Sequence, residues 1–304
     1  PGLGNGTRLL KMMREAMKKI LFATTALVAS AGVAAADISV SGSAAMGLYG
    51  DEAQAAPDDS GVYSMMKVVI TGSGTADNGM TFGASIDASA GEDYDRGDFE
   101  YDGGESGTFG LGAVHVASGG LKITVDQDGI DDLSDDDNSH DIQIDYSMGD
   151  FSVSVTNDID GDNGNGVPSE FSYKAGFSMA GISVTLSGND LDDSTAIDLG
   201  YTVSDALGLT AHIDQNGGDQ ETKVGMSYGM GAVGLTASYA MYDTADDDWD
   251  LGISYSEGAM SVSASTDEES DWELTGSYDL GGGLSAEGGM NADSDYYLGV
   301  AMSF

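Results

Sequence analysis

Few side chains in this sequence are of a kind that does bond chemistry, and they are poorly arranged for it. Cysteine is absent, which removes disulfides, zinc-thiolate sites and thiol catalysis together. His115, His140 and His212 stand alone, without the spacing of a metal motif, and neither a G-x-S-x-G elbow nor a P-loop lysine occurs. The densest reactive-looking group is acidic. The stretch DQDGIDDLSDDDNSH carries Asp126, Asp128, Asp131, Asp132, Asp135, Asp136 and Asp137. Clustered carboxylates beside glycine turns offer the hard oxygen ligands that calcium takes. A second run, DIDGDNGNG at 158–166, is similar, but neither has EF-hand spacing: Gly129 is misplaced, and Ser169 holds the twelfth position from Asp158. A calcium site and a solvated acidic loop both fit. No cofactor is required by any motif.

Charge carries more information than these motifs. The 304 residues hold 52 acidic and 10 basic side chains, a net charge of −42. Nucleic acid, whose phosphates need a basic surface, is excluded as a partner. From Met17 the chain reads MKKILFATTALVASAGVAAA, with a basic start at Lys18 and Lys19, a short apolar core and an Ala34-Ala35-Ala36 exit. That is the pattern of a cleaved secretory signal peptide over 17–36. Residues 1–16 read as an upstream extension or an alternative start at Met12 or Met13. Cleavage after Ala36 removes five basic residues and one acid, leaving five against 51, a net charge of −46. Lys67, Arg96, Lys122, Lys174 and Lys223 are the basic residues that stay.

The elements that position these residues follow from a period of two. Met80, Phe82, Ala84, Ile86 and Ala88 alternate with Thr81, Gly83, Ser85, Asp87 and Ser89. Val153 and Val155, Val184 and Leu186, and Trp272 and Leu274 alternate in the same way with Ser, Thr and Glu. Successive strand side chains point to opposite faces, so each segment has a greasy and a polar side. About eighteen such segments of roughly 8–12 residues follow residue 36, as membrane-barrel strands require. Tight connectors such as Asp77-Asn78-Gly79 and Met179-Ala180-Gly181 intersperse with longer acidic ones. The pattern describes an all-β protein over 37–304, a transmembrane antiparallel up-and-down β-barrel of 16–18 strands. Outward aromatics near strand ends (Trp249 and Tyr255, Trp272 and Tyr278, Tyr296 and Phe304) would lie roughly 20–27 Å apart, suiting two interfacial girdles around outer-membrane lipid. A secreted, acidic, calcium-binding β-rich surface protein is the rival reading.

Three stretches resemble the general porins of alphaproteobacterial outer membranes. These are DISVSGSAAMGLYGD at the mature start, SMMKVVITGSGTADNGMTFGASIDA over 64–88, and the terminal TGSYDLGGGLSAEGGMNADSDYYLGVAMSF. The resemblance implies a water-filled pore for ions and small hydrophilic solutes, with no enzymatic activity, and a homotrimer in the bacterial outer membrane. It implies that Phe304, with Tyr296, Leu298, Val300 and Met302, signals to the barrel assembly machinery. Small outward residues, Gly42, Ala44, Ala286 and Gly288, would permit close subunit packing. The family normally has sixteen strands and a long third outer loop folded inward, whose candidate here is the short segment 126–140. Lys67, Lys122, Lys174 and Lys223 fall on the polar face. They would form a basic wall opposite an acidic constriction loop, or face inward merely because lipid excludes them. Met65 stands where the family is often basic, which thins such a wall. The acidic balance leads us to expect cation preference; a solute-specific channel is the narrower alternative, and no residue nominates its solute.

Overall fold

The computed structural model describes residues 37–51, 60–134, 139–159, 171–190, 194–216 and 219–304. Residues 1–36 therefore lie outside the described residues, as do Asp135, Asp136 and Asp137. Among the described residues the chain forms eighteen strands: β1 (Asp37–Gly50), β2 (Ser60–Thr75), β3 (Thr81–Asp95), β4 (Glu100–Ser118), β5 (Leu121–Asp131), β6 (Ser139–Met148), β7 (Phe151–Asn157), β8 (Phe171–Met179), β9 (Ile182–Asn189), β10 (Thr195–Ser204), β11 (Leu207–Asn216), β12 (Asp219–Met230), β13 (Val233–Tyr242), β14 (Asp248–Glu257), β15 (Met260–Asp267), β16 (Trp272–Gly281), β17 (Leu284–Asn291) and β18 (Tyr296–Ser303). Each strand pairs antiparallel with its sequence neighbours, and β18 returns to pair with β1. The closing register runs from Ser43↔Ser303 to Gly50↔Tyr296. Gly42 N–H donates to the Phe304 carbonyl at 2.8 Å, and Phe304 N–H to that of Gly42 at 3.0 Å. Closure removes the two open edges that a flat sheet would present, the condition for a sheet to sit in hydrocarbon.

The short connectors share one rim, and local chemistry makes them. Gly119 and Gly120 both have positive φ (60° and 89°), as do Ala180 and Gly181 (53° and 82°), the backbone of the tight hairpin turn whose twist matches its strands. In the β2–β3 turn the Asn78 side-chain oxygen accepts from Met80 N–H at 3.1 Å, doing what a turn carbonyl would do.

The apolar residues lie on the outside. Val62, Leu298, Ile253 and Leu251 are 50–64% exposed, an arrangement that water would not tolerate and lipid favours. Tyr239 pairs with Trp249 towards the long-loop rim, with Trp272 and Tyr296 at the same level, while Tyr228, Tyr255 and Tyr278 mark the opposite rim. These rows are the expected girdles. The rival reading of a secreted, acidic, β-rich surface protein is overturned here, because its greasy face would have to be packed against a second layer.

Candidate pore lining

The inward row is polar along most strands, but on β1, β2 and β18 it carries aromatics: Tyr49, Tyr63 and Tyr297. They are covered by the tip of the β3–β4 hairpin. β3 pairs with β2 only as far as Glu92, and it leaves the wall at Gly91, whose φ is +122°. A Cβ there would overlap the Ser64 carbonyl oxygen, so only glycine permits the bend. The tip then lies across the inner faces of β2, β1, β18 and β17. Tyr94 stacks on Tyr49 with centroids 5.0 Å apart, Tyr101 stacks on Tyr49 at 4.8 Å, and Phe99 meets Tyr297 at 5.5 Å. Met65 packs against this cluster, which explains the apolar residue at that inward position. Tyr63 lies over Gly47 and Gly299, and Phe99 over Gly289; side chains at these glycines would displace the rings. Arg96 Nη1 reaches Glu287 Oε2 on β17 at 2.6 Å, and Tyr101 N–H donates to Asp51 Oδ2 at 3.1 Å.

A second inward contact starts from the expected constriction segment. Asp126–Asp131 do not form a loop: they continue β5, with a register irregularity between Val125 and Ile130. The chain beyond them turns across the inner wall. Leu133 N–H donates to Ser172 Oγ (2.9 Å) on β8, and Asn189 Nδ2 on β9 to Ser134 Oγ (3.1 Å). Asp132 is buried beside His140, whose Nδ1 is 2.6 Å from Thr156 Oγ1, and Thr156 in turn meets Ser172. The expected carboxylate cluster is therefore dispersed: Asp126 faces the lumen from β5, Asp132 is enclosed in a hydroxyl network, and the Asp128 side chain with Asp135–Asp137 lies outside the described residues. Among the described residues no group of three or more His, Cys, Asp or Glu is arranged to hold a metal ion.

The four lysines alternate with outward apolar neighbours on β2, β5, β8 and β12, so they do not gather into a single basic wall. Neighbouring strands are ~4.8 Å apart, and three or more strand spacings separate each pair. Two are neutralised locally, Lys67 by Asp87 and Lys223 by Asp250, each at 3.5 Å. Lys122 lies in register with Asp145, and Lys174 borders a cavity of about 590 Å³ with Asp131 and Asp132. His212 Nδ1 meets Asp198 Oδ1 at 2.7 Å. Sequence reasoning passed over the aromatic latch and Arg96. The available signal was tyrosine on the polar parity, next to Leu48, Val62 and Tyr296 on the greasy one.

Of the expected assembly residues, Tyr296, Leu298, Val300 and Met302 share the outward row of β18, and Phe304 directly follows the strand. Phe304 occupies the space over Gly42, as Leu298 does over Gly288. Gly42 and Gly288 thus receive this chain's own side chains.

The family model described as Gram-negative porin matches residues 23–301. Among solved structures, a triple mutant of Rhodopseudomonas blastica porin is similar at 18% identity, covering 88% of this chain and 100% of that one, with TM-score 0.57. Two further variants of the same porin give 17% and 19% identity at the same coverages, with TM-scores 0.58 and 0.56. At these identities the structures speak for the barrel fold alone. No curated protein matches the chain.

Proposed function

The chain belongs to the Gram-negative porin family, an outer-membrane porin with a polar lumen, and from that premise we propose that its pore passes small hydrophilic solutes passively and prefers cations. The observation that carries the preference is the pairing of the basic residues. Of the five between 37 and 304, Lys67, Arg96 and Lys223 each sit against a carboxylate, while 51 acidic side chains face five basic ones. A Debye length near 8–10 Å leaves charges lining a narrow pore only partly screened, and a low-dielectric wall focuses their field. The test is the reversal potential of single channels in a tenfold potassium chloride gradient. A potential displaced towards the potassium equilibrium value is expected, and one near zero overturns the preference.

Three finer readings accompany it. Residues 17–36 direct export and are cut after Ala36, so amino-terminal sequencing of outer-membrane protein should begin at Asp37. The row ending in Phe304 serves as the signal to the assembly machinery. The working unit is a homotrimer, for which native-mass measurement in mild detergent should give three times the chain mass.

A further inference from the structure

The two inward contacts leave the lumen asymmetric. The β3–β4 tip covers the inner faces of β17, β18, β1 and β2, where Tyr49, Tyr63 and Tyr297 are 2–7% exposed. The segment after β5 covers β7–β9, where Thr156, Ser172 and Asn189 are buried. On β13–β16 the inward residues Thr236, Ser254, Ser263, Ser265 and Glu273 are exposed instead. Three cavities of about 610, 270 and 250 Å³ adjoin along this sector, sharing Ser254, Ser263 and Thr275 or Ser227 and Thr236. The one of about 270 Å³ is also lined by Glu287 and Tyr297, the anchors of the tip. A separate cavity of about 590 Å³ on the β5–β8 side is lined by Gly129–Ser134 together with Thr124, Gln143 and Lys174.

We infer that the conducting path is eccentric: solutes pass along the hydroxyl-rich inner wall of β11–β16, the latched β3–β4 tip bounds it on the β17 side, and Glu273 on this wall selects hydrated cations. Serine and threonine hydroxyls replace water's hydrogen bonds at little cost to a hydrated ion or a small hydroxylated solute. Glu273 lines the cavity of about 610 Å³, whereas Asp250, which accepts from Ser238 at 2.6 Å, is offset by Lys223. The cavity lined by Gly129–Ser134 is a side recess.

This inference rests on the channel reading, and the cysteine-free sequence permits a test that separates the two. Single cysteines at Ser254, Ser263 and, in the side recess, Gln143 are reacted with a bulky neutral thiol reagent on purified full-length barrels, with modification scored by mass. Modified Ser254→Cys and Ser263→Cys should lose at least half of the single-channel current, and modified Gln143→Cys less than a tenth. Equal block from Gln143→Cys, or full modification at Ser254 and Ser263 without block, overturns the eccentric path. In the charge arm, Glu273→Gln should lower the cation-to-anion permeability ratio at least twofold, whereas Asp145→Asn, held by Ser154 and Gln143, should not move it. The reverse ranking overturns the assignment of selectivity to this wall. Absence of any channel from the unaltered protein would refute the channel reading itself.

Discussion

At the residue scale the latch is the sensitive point. Arg96 and Glu287 are 31% and 24% exposed, so their bond is neither fully screened nor fully desolvated, and a charged hydrogen bond there is worth about 1–3 kcal/mol. Arg96→Ala should free the tip, raising the mean single-channel conductance and broadening its distribution. Gly91→Ala acts on the same tip through the backbone. Its methyl would meet the Ser64 carbonyl, and the +122° angle strains any side chain, at a cost of about 1–3 kcal/mol. A lower urea midpoint of the folded barrel, read by tryptophan fluorescence, is the expected result.

At the element scale every strand has one lipid side and one water side, and this partition can be tested within neighbouring strands. Ile253 faces outward from the middle of β14, whereas Ser263 faces inward from β15. Arginine at Ile253 should cost about 2–4 kcal/mol and reduce folding into lipid vesicles, and arginine at Ser263 should leave folding nearly intact. β18 adds a closing role. Phe304, which follows it, makes two backbone bonds with Gly42, worth about 0.5–1.5 kcal/mol each, and its ring covers that glycine. Removal of Phe304 should therefore destabilise the refolded barrel in detergent, where no assembly machinery is present.

At the scale of the whole molecule, the charge imbalance acts as a field whose reach depends on salt. The Debye length falls from about 10 Å at 0.1 M to about 3 Å at 1 M. The cation-to-anion ratio should accordingly shrink as both chambers are raised from 0.1 to 1 M at constant gradient. A ratio independent of salt would place selectivity in contact geometry rather than in the field. Eighteen strands enclose this field, and the two inward segments divide it, so the lumen's effective charge is that of its uncovered sector.

The strand alternation of residues such as Thr81–Ala88, the tight turns at Asp77-Asn78-Gly79 and Met179-Ala180-Gly181 and the excess of carboxylates were all legible in the chain, because period, turn angle and charge are local properties. From them came the barrel, its greasy exterior and its two rims. The constriction was legible only in part. Asp126–Asp131 read as a loop because acidic side chains disfavour most strands, yet on the lumen side water solvates them and the β5 ladder continues. Tyr94, Phe99 and Arg96 gave no local sign of crossing four strands to reach Tyr49, Tyr297 and Glu287, residues far away in the chain. Pairing partners so distant are brought together only when the sheet closes on itself, and closure is what the tertiary structure alone decided.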